Sequence, residues 1–247
     1  MPKVSVIICT YNREELIKRA IKSVLSQSFS DYELIIIDDA STDDIKSVIL
    51  SFNDSRIKYF RNETNRGITK SRNKGCQIAV GDYIAMLDSD DWWLDDNKLK
   101  KQVEYLDQNL SVAIVGTGII LYDNNDNFIK EDIFESDDKD IRRKILSKNQ
   151  FAQSSVLFRR DAYIAAGGYD EGLAVCEDLD LWLKIGTKYQ LANLKEAMTA
   201  YFVNPEGITK LDRKRVNKMT DNLIRKYKFD YPGYLKANIK SFLRKLF

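Results

Sequence analysis

Short apolar runs and amphipathic stretches take turns through the first part of the chain. The short runs are rich in β-branched residues, which is typical of buried strands, and they occur at 4–9, 33–37, 57–60 and 82–87. The stretches between them carry apolar residues at helical spacing, at 14–27, 42–52 and 68–80. This alternation predicts an α/β fold with a doubly wound, mostly parallel sheet flanked by helices, in which ligands bind at the carboxyl ends of the strands.

The second part of the chain is less regular. It predicts a strand over 112–122 that ends in a turn at 123–127, a strand over 154–158, a helix from Leu179 and a helix end followed by a strand over 191–202. From about Leu211 the chain becomes basic and helical, and Tyr231-Pro232-Gly233 predicts a break before a last helix.

The composition narrows the chemistry. The chain has no histidine, so histidine triads, histidine metal ligands and the usual base at neutral pH are absent. Its three cysteines are scattered and form no C-x-x-C pair, so neither a disulfide framework nor a zinc site is indicated. We find no charged-then-apolar leader and no apolar run of about 20 residues, and we therefore expect a cytoplasmic location.

The charge is distributed unevenly. The formal net charge is +2, but residues 210–247 carry +9 and residues 1–209 carry −7. Apolar residues recur at helical spacing among the lysines and arginines of the basic segment, at Leu235, Ile239, Phe242 and Leu246. This pattern predicts a helix at the surface of an anionic membrane, although a helix that packs on the main domain or forms a dimer contact would show it too. Nucleic acid is not an expected partner, because the segment has no recognisable reading motif.

Three carboxylates, Asp88, Asp90 and Asp91, follow the fourth predicted strand within four residues. Like charges this close repel one another, and the end of a buried strand gives them little room to separate. A divalent cation relieves the repulsion, and oxygen ligands suit Mg²⁺ or Mn²⁺. Protein sites for such ions commonly supply one or two carboxylates while phosphates complete the shell, so the cluster predicts a phosphorylated substrate, a nucleotide.

Polar residues also follow the first two strands. Thr10-Tyr11-Asn12-Arg13 could hold a base through backbone N–H groups and an aromatic face, although such turns also cap helices. The adjacent carboxylates Asp38 and Asp39 could reach a nucleobase or a ribose hydroxyl, and helix capping by Asp39 or Ser41 is the alternative. On the next helix, Arg72 could pair with a diphosphate because its guanidinium fork matches phosphate oxygens, or it could lie on a solvated helix face.

A second acidic pair, Glu177 and Asp178, stands at the start of a predicted helix. The helix dipole favours carboxylates in a first turn, so the pair could be structural. In a chain without histidine, a carboxylate is also the natural candidate for a general base that faces the metal site.

Taken together, these motifs resemble those of the family 2 glycosyltransferases of GT-A fold. The resemblance covers roughly residues 3–210 and rests on motifs in the family's order, at 4–12, 38–43, 65–67 with 72–73, 87–91 and 177–180. It implies inverting transfer of a sugar, a hexose or N-acetylhexosamine, from a nucleotide diphosphate that is held with Mn²⁺ or Mg²⁺. It also implies a catalytic domain over 1–209, with a nucleotide-binding half (1–91) and an acceptor half (92–209), and a basic helical extension over 210–247.

The resemblance assigns roles by position. Asp39 would contact the base, Thr10 and Tyr11 would line its pocket, and Arg72 would lie near the diphosphate or base. Asp88 would approach the ribose. The metal would be held by Asp90, with Asp91 sharing the task, and the acceptor hydroxyl would be deprotonated by Asp178, with Glu177 the weaker candidate.

With the basic segment, the resemblance predicts a UDP-sugar donor and a lipid-linked or oligosaccharide acceptor of surface polysaccharide synthesis, used at the inner face of the cytoplasmic membrane. One departure concerns Asn204, which occupies the position of a histidine in many relatives. Two other functions are alternatives, a nucleotidyltransferase that uses the same carboxylates and a non-catalytic binder of sugar nucleotides. A nucleotidyltransferase would be expected to have a glycine-rich loop after the first strand, but residues 10–13 contain no glycine. A non-catalytic binder would be expected to have lost the acidic motifs, which are present here.

Overall fold

The computed structural model describes residues 1–204 and 212–246. Its strands are β1 (Val4–Thr10), β2 (Tyr32–Asp38), β3 (Ile57–Arg61), β4 (Tyr83–Asp88), β5 (Trp92–Trp93), β6 (Val112–Tyr122), β7 (Phe128–Asp132), β8 (Leu157–Arg159) and β9 (Gln190–Phe202). Its helices are α1 (Ile17–Leu25), α2 (Ile45–Ser51), α3 (Ile68–Ile78), α4 (Lys98–Gln108), α5 (Asp138–Lys144), α6 (Arg160–Ala165), α7 (Glu177–Gly186), α8 (Arg213–Lys226) and α9 (Tyr234–Leu246).

The strands form one sheet in the order β3-β2-β1-β4-β8-β6-β9-β5, and β7 pairs with β6. The four strands of the first part pair in parallel, as the sequence predicted. Every residue of β1 is buried, since helices cover both faces and its side chains alternate between two cores. The register places Thr10 beside Asp38, and Cys9 beside Asp88. The polar residues that follow these strands therefore meet at one edge of the sheet.

The second part adds both antiparallel and parallel strands. β8 pairs antiparallel with β4 and β6, whereas β6 and β9 are parallel. The helix end expected over 191–202 is absent, because that stretch is continuous strand pairing along β6. The strand expected from Ser154 begins only at Leu157, after a short 3₁₀ turn at Gln153–Ser155. The turn predicted at 123–127 does join β6 to β7.

Helices α8 and α9 pack on the rest of the chain. Their buried residues belong to the same core as helix α7, and they include Leu223, Ile224 and Ala237. On α7, the buried carboxylate of Asp180 accepts hydrogen bonds of 2.8 Å from Lys226 and 2.9 Å from the hydroxyl of Tyr227. The basic segment is thus attached directly to the helix that begins with the predicted base. Within residues 1–204 and 212–246, no helix combines the length and apolar character needed to cross a bilayer.

Candidate active site

The carboxylate of Asp39 is built into the turn that starts helix α3. It accepts hydrogen bonds from the side chain of Asn62 at 2.7 Å and from the backbone N–H groups of Arg66 and Gly67 at 2.9 and 2.8 Å. Gly67 has a φ of 85°, which favours glycine over other residues. The N-cap residues of α2 and α3 are Asp44 and Gly67, so Asp39 holds the segment before α3 and is not itself a helix cap. Each carboxylate oxygen has two acceptor positions, so these bonds leave room for a ligand.

Thr10 and Tyr11 lie beside Asp39 at the edge of the sheet. The backbone N–H of Asp39 donates to the Thr10 carbonyl at 2.9 Å. The Thr10 side chain is 3 % exposed, and its hydroxyl has no hydrogen-bond partner among the described residues. Tyr11 is 45 % exposed. A buried hydroxyl without a partner and an accessible aromatic ring are both suited to a polar, planar ligand.

Arg72 links the two acidic motifs. Its guanidinium donates a 2.6 Å hydrogen bond to Asp88 and also pairs with Glu177, which is 105 residues further along the chain. Burial opposes the charge of Arg72, but Asp88 and Glu177 outweigh it and raise its pKa well above the usual value. The solvated helix face considered for Arg72 is wrong, because the side chain is 7 % exposed. Its charge is shared between two carboxylates at the centre of the site.

The neighbours Asp90 and Asp91 have different surroundings. One oxygen of Asp91 accepts from the Phe202 N–H at 2.8 Å, and the other accepts from the hydroxyl of Ser154. Burial raises the pKa of Asp91 well above its usual value, and Asp90 and Asp88 raise it further. Asp91 is therefore tied to strand β9 and to the 3₁₀ turn. Ser154 also accepts a 3.0 Å hydrogen bond from the backbone N–H of Asp88, so one hydroxyl fixes both ends of the acidic turn.

Asp90 is partly buried and points into the site. Burial and then the charge of Asp88 raise its pKa, whereas Arg13 and a hydrogen bond with Asn204 oppose the rise. Asn204, at the position where the family resemblance leads one to expect a histidine, thus favours the ionised form of Asp90. No separate role was predicted for Arg13, although the motif that contains it was recognised. The structure places its positive charge close enough to Asp90 to affect ionisation.

Asp178 stands in the first turn of helix α7, after Cys176, whose φ of 60° is unusual for a residue with a side chain. Burial and then the charge of the neighbouring Glu177 raise the pKa of Asp178 to about 6, although a backbone hydrogen bond from Leu179 and the charge of Arg72 oppose the rise. One oxygen accepts a 3.1 Å hydrogen bond from the side-chain amide of Asn149. Glu177 is paired with Arg72, whereas the described residues provide Asp178 with no direct cation. Of the two carboxylates, Asp178 is better suited to accept a proton near neutral pH.

Tyr201 on strand β9 lies between these groups and was missed from the sequence. Burial raises its pKa, and so do the carboxylates of Asp91, Asp88, Asp90 and Asp178, in that order. The charges of the acidic turn and of Asp178 on helix α7 therefore both act on the Tyr201 hydroxyl. No local signal marked Tyr201, because its relation to the site depends on the pairing of β9 with β6 and β5.

The residues present can hold a divalent cation if a phosphorylated ligand supplies part of its coordination shell. Within the described residues, no group of three or more His, Cys, Asp or Glu side chains converges on a common point. Mg²⁺ and Mn²⁺ do not require such a cage, because one or two carboxylates suffice when substrate phosphates complete the shell. Asp90, whose ionised form is disfavoured by burial and by Asp88, would be stabilised by a cation. A metal shared between the protein and a phosphorylated ligand is compatible with the residues present.

The family model for "Glycosyl transferase family 2" matches residues 5–166. The chain belongs to this family. The protein is thus an enzyme, a glycosyltransferase, and neither the nucleotidyltransferase nor the non-catalytic binder is supported by the comparisons. The matched range contains the acidic turn and Asp39, and it ends before Asp178.

Curated relatives agree with this assignment. EpsE of Bacillus subtilis, which is named as a glycosyltransferase, is 35 % identical over 204 residues that cover 80 % of this chain and 72 % of that protein. A second relative is the UDP-Glc:alpha-D-GlcNAc-diphosphoundecaprenol beta-1,3-glucosyltransferase WfgD of Escherichia coli. It is 39 % identical over 122 residues, which cover 49 % of this chain and 48 % of WfgD.

Solved structures confirm the GT-A fold. The S. aureus TarS fragment 1–349 in complex with UDP-GlcNAc superposes with a TM-score of 0.73 at 22 % identity, covering 90 % of this chain and 66 % of that one. The mannosyltransferase PcManGT from Pyrobaculum calidifontis, in complex with GDP-Man and Mn²⁺, gives a TM-score of 0.73 at 19 % identity over 98 % of this chain and 70 % of that one. At these identities the likeness concerns the fold.

Proposed function

We propose that the enzyme transfers a sugar from a nucleotide diphosphate donor, a UDP-sugar, to a hydroxyl of a lipid-linked glycan with inversion at the sugar carbon. The observation that carries the proposal is the position of Asp178. A carboxylate with a pKa of about 6 lies within electrostatic reach of Asp88 and Arg72, at the carboxyl end of the sheet. Inverting displacement needs one base on the acceptor side and charge stabilisation on the leaving-group side.

The donor would bind along the edge of the sheet formed by β2, β1 and β4. In this proposal Asp39 contacts the base with its one remaining lone pair, and Thr10 and Tyr11 line the base pocket. Asp88 approaches the ribose, while Arg72 keeps that carboxylate in place and lies near the diphosphate. The unpartnered Thr10 hydroxyl and the exposed Tyr11 ring support this arrangement.

The leaving diphosphate would be neutralised on the side of the acidic turn. Asp90 would hold Mn²⁺ or Mg²⁺, and the bound ion would act as a Lewis acid toward the leaving diphosphate. Asp91 would hold the acidic turn in place, since both of its oxygens accept hydrogen bonds from the protein. Arg13 would add positive charge beside Asp90, where its effect on Asp90 ionisation supports the role.

On the acceptor side, Asp178 would remove the proton of the attacking hydroxyl. Glu177 would remain paired with Arg72 and would not compete for that proton. The new bond forms between the acceptor oxygen and the sugar carbon as the bond to the diphosphate oxygen breaks, and the proton goes to Asp178. Attack from the face opposite the leaving group inverts the configuration.

A lipid-linked acceptor is supported by the names of relatives. WfgD is named for a diphosphoundecaprenol acceptor, and a Campylobacter jejuni relative, 47 % identical over 94 residues, is a GalNAc(5)-diNAcBac-PP-undecaprenol beta-1,3-glucosyltransferase. Both names specify a lipid diphosphate that bears sugars. Such an acceptor would place the enzyme at the inner surface of the cytoplasmic membrane, with residues 210–247 as the predicted contact and a homodimer as the other use of that segment.

The test is a screen of UDP-, GDP- and dTDP-sugars with Mn²⁺ or Mg²⁺, in which nucleotide diphosphate release is measured with and without a lipid-linked oligosaccharide. We expect release to depend on a UDP-sugar, on the metal and on the acceptor. Absence of both turnover and binding across all donors would refute the proposal. Turnover with GDP- or dTDP-sugars alone would refute the UDP assignment, and metal-independent turnover would refute the role of Asp90.

A further inference from the structure

Helix α9 presents large apolar side chains to solvent. The exposed fractions are 73 % for Leu235, 62 % for Ile239, 62 % for Phe242 and 48 % for Leu243. Just before the helix, Phe229 is 90 % exposed. We call the four exposed residues of helix α9 the outer apolar face. Single exposed apolar residues are common on proteins, but a cluster on one side of one helix indicates an interaction surface.

The orientation of this face is fixed by packing on the opposite side of the helix. Ala237 is completely buried, and Ser241 is 5 % exposed. The Ser241 hydroxyl donates to Asp221 on helix α8, and the Nζ of Lys240 donates a 2.9 Å hydrogen bond to the backbone carbonyl of Ser147. Helix α9 therefore cannot turn its apolar residues inward without breaking these contacts.

The surroundings of the outer apolar face are basic. Lys236 and Lys240 are exposed on the same helix. Arg225 of α8 lines a cavity of about 370 Å³ together with Ile239 and Phe242. Residues 210–247 as a whole carry +9. An apolar face bordered by cations matches an anionic bilayer, in which acyl chains accept the apolar side chains and headgroups neutralise the charges. In a two-fold dimer the same face would meet itself and bring like charges together.

Helices α8 and α9 are linked to the acceptor side of the site by short chains of contacts. Ser147, which accepts from Lys240, is two residues before Asn149, and Asn149 donates to Asp178. From the other side, Lys226 and Tyr227 of α8 bind Asp180, two residues after Asp178. We propose that the outer apolar face binds an anionic phospholipid bilayer and so holds the Asp178 side of the site near a membrane-borne acceptor. The second half of this statement rests on the proposed function, whereas bilayer binding does not.

Bilayer binding is tested by co-sedimentation of the full chain with phosphatidylcholine vesicles and with vesicles that also contain phosphatidylglycerol. We expect binding only to the anionic vesicles, weakened by added salt. The variant I239S/F242S should bind them at least about tenfold more weakly, because it removes two apolar side chains that would insert among the acyl chains. The variant K236E should also weaken binding.

The chain offers matched controls on other surfaces. Ile164 is 62 % exposed and Phe128 is 63 % exposed, so F128S/I164S removes equivalent apolar surface and should bind like the wild type. Lys46 lies on helix α2, and K46E matches the charge change of K236E. Equal losses in the control variants would contradict a specific face.

Three results would overturn the proposal. These are no binding of the wild-type protein to anionic vesicles, unchanged binding by I239S/F242S, and a solution dimer that this variant dissociates while vesicles are not bound. Turnover of a water-soluble acceptor by I239S/F242S separates this proposal from the proposed function, since we expect that activity to be retained. If vesicles bind but no glycosyl transfer occurs with any donor, only the proposed function fails.

Discussion

The side-chain amide of Asn149 donates a 3.1 Å hydrogen bond to the carboxylate of Asp178. The amide oxygen of Asn149 accepts from the Phe151 N–H at 3.1 Å, so its NH₂ group is the one that faces Asp178. A residue from the loop after α5 thereby holds a carboxylate of α7, 29 positions away. The contact stabilises the ionised form of Asp178 and fixes the direction in which its other oxygen can act.

Asn149→Ala is expected to move the acid limb of the kcat profile to higher pH. A lost hydrogen bond to a charged group is worth roughly 1.5–3 kcal/mol, so the midpoint should rise by about 1 pH unit or more. The pKa of Asp178 is about 6, and the deficit should therefore be largest near pH 6 and shrink toward pH 8. The KM for the donor should change little.

The control for Asn149 is Asn125→Ala in the exposed turn between β6 and β7, for which we expect a wild-type profile. A uniform loss of kcat at all pH values, without movement of the limb, would show that Asn149 acts on folding rather than on Asp178.

Asp178→Asn is expected to abolish transfer while donor binding persists, because the proposed base is lost and the proposed donor contacts are not. It should also stabilise the fold at neutral pH. The folded-state pKa of about 6 lies above the ordinary value of 3.8, so the stability that Asp178 contributes is highest below pH 3.8 and falls as the pH rises through 6. An uncharged Asn should regain about 1–3 kcal/mol at pH 8.

These two effects are measured by product formation and by chemical unfolding at pH 4 and pH 8. Asp31→Asn, an exposed carboxylate before β2, is the control and should leave both unchanged. Full turnover by Asp178→Asn would remove the base assignment.

Asp90→Asn and Asp91→Asn are expected to fail in different ways. Asp90→Asn should weaken Mn²⁺-dependent donor binding about tenfold or more with little change in Tm, because it removes the proposed metal ligand. Asp91→Asn should lower the Tm by several degrees, since its NH₂ group would face either the Phe202 N–H or the Ser154 hydroxyl, both of which donate to Asp91. Calorimetric titration of donor with Mn²⁺ and thermal unfolding distinguish them. The reverse pattern would exchange the two roles.

Arg72→Lys is expected to destabilise the protein by about 3 kcal/mol, because an ammonium group cannot reach Asp88 and Glu177 as the guanidinium fork does and one carboxylate is left buried without a partner. It should also lower kcat/KM at least about tenfold, as Glu177 becomes free to compete with Asp178. The control is Arg56→Lys. Arg56 pairs with Asp54 in a partly exposed bridge, and we expect a loss of less than about 1 kcal/mol there. Comparable losses in both variants would argue against a special role for Arg72.

The first half of the fold was predictable because its information is local. Each parallel strand is a short apolar run between helical patterns, and Asp39, Asp88 and Asp90 follow those strands directly. Once the strands are parallel, their carboxyl ends must share an edge. The family resemblance then supplied the class of enzyme, and the family match confirms that class.

The rest depended on contacts between distant parts of the chain. The sequence could not show that Arg72 bridges Asp88 and Glu177, or that Ser154 holds the acidic turn, since each contact joins separate elements. Strand β9 has a mixed pattern that resembles a helix end, and only its pairing with β6 makes it a strand. Tyr201 was missed for the same reason. The division of labour between Asp90 and Asp91 also needed the position of β9.

Helix α7 carries two aspartates with opposite partners. Asp178 faces the site, whereas Asp180 is completely buried and binds Lys226 and Tyr227 of helix α8. A chain shortened before α8 would leave Asp180 with Lys184 as its only cation among the described residues, one turn away from the base. If Asp178 is the base and the outer apolar face binds a membrane, as we propose, a truncation that removes α8 and α9 should disturb both functions. A related enzyme that acquired different carboxyl-terminal helices would need new residues in place of Lys226 and Tyr227 to bind Asp180.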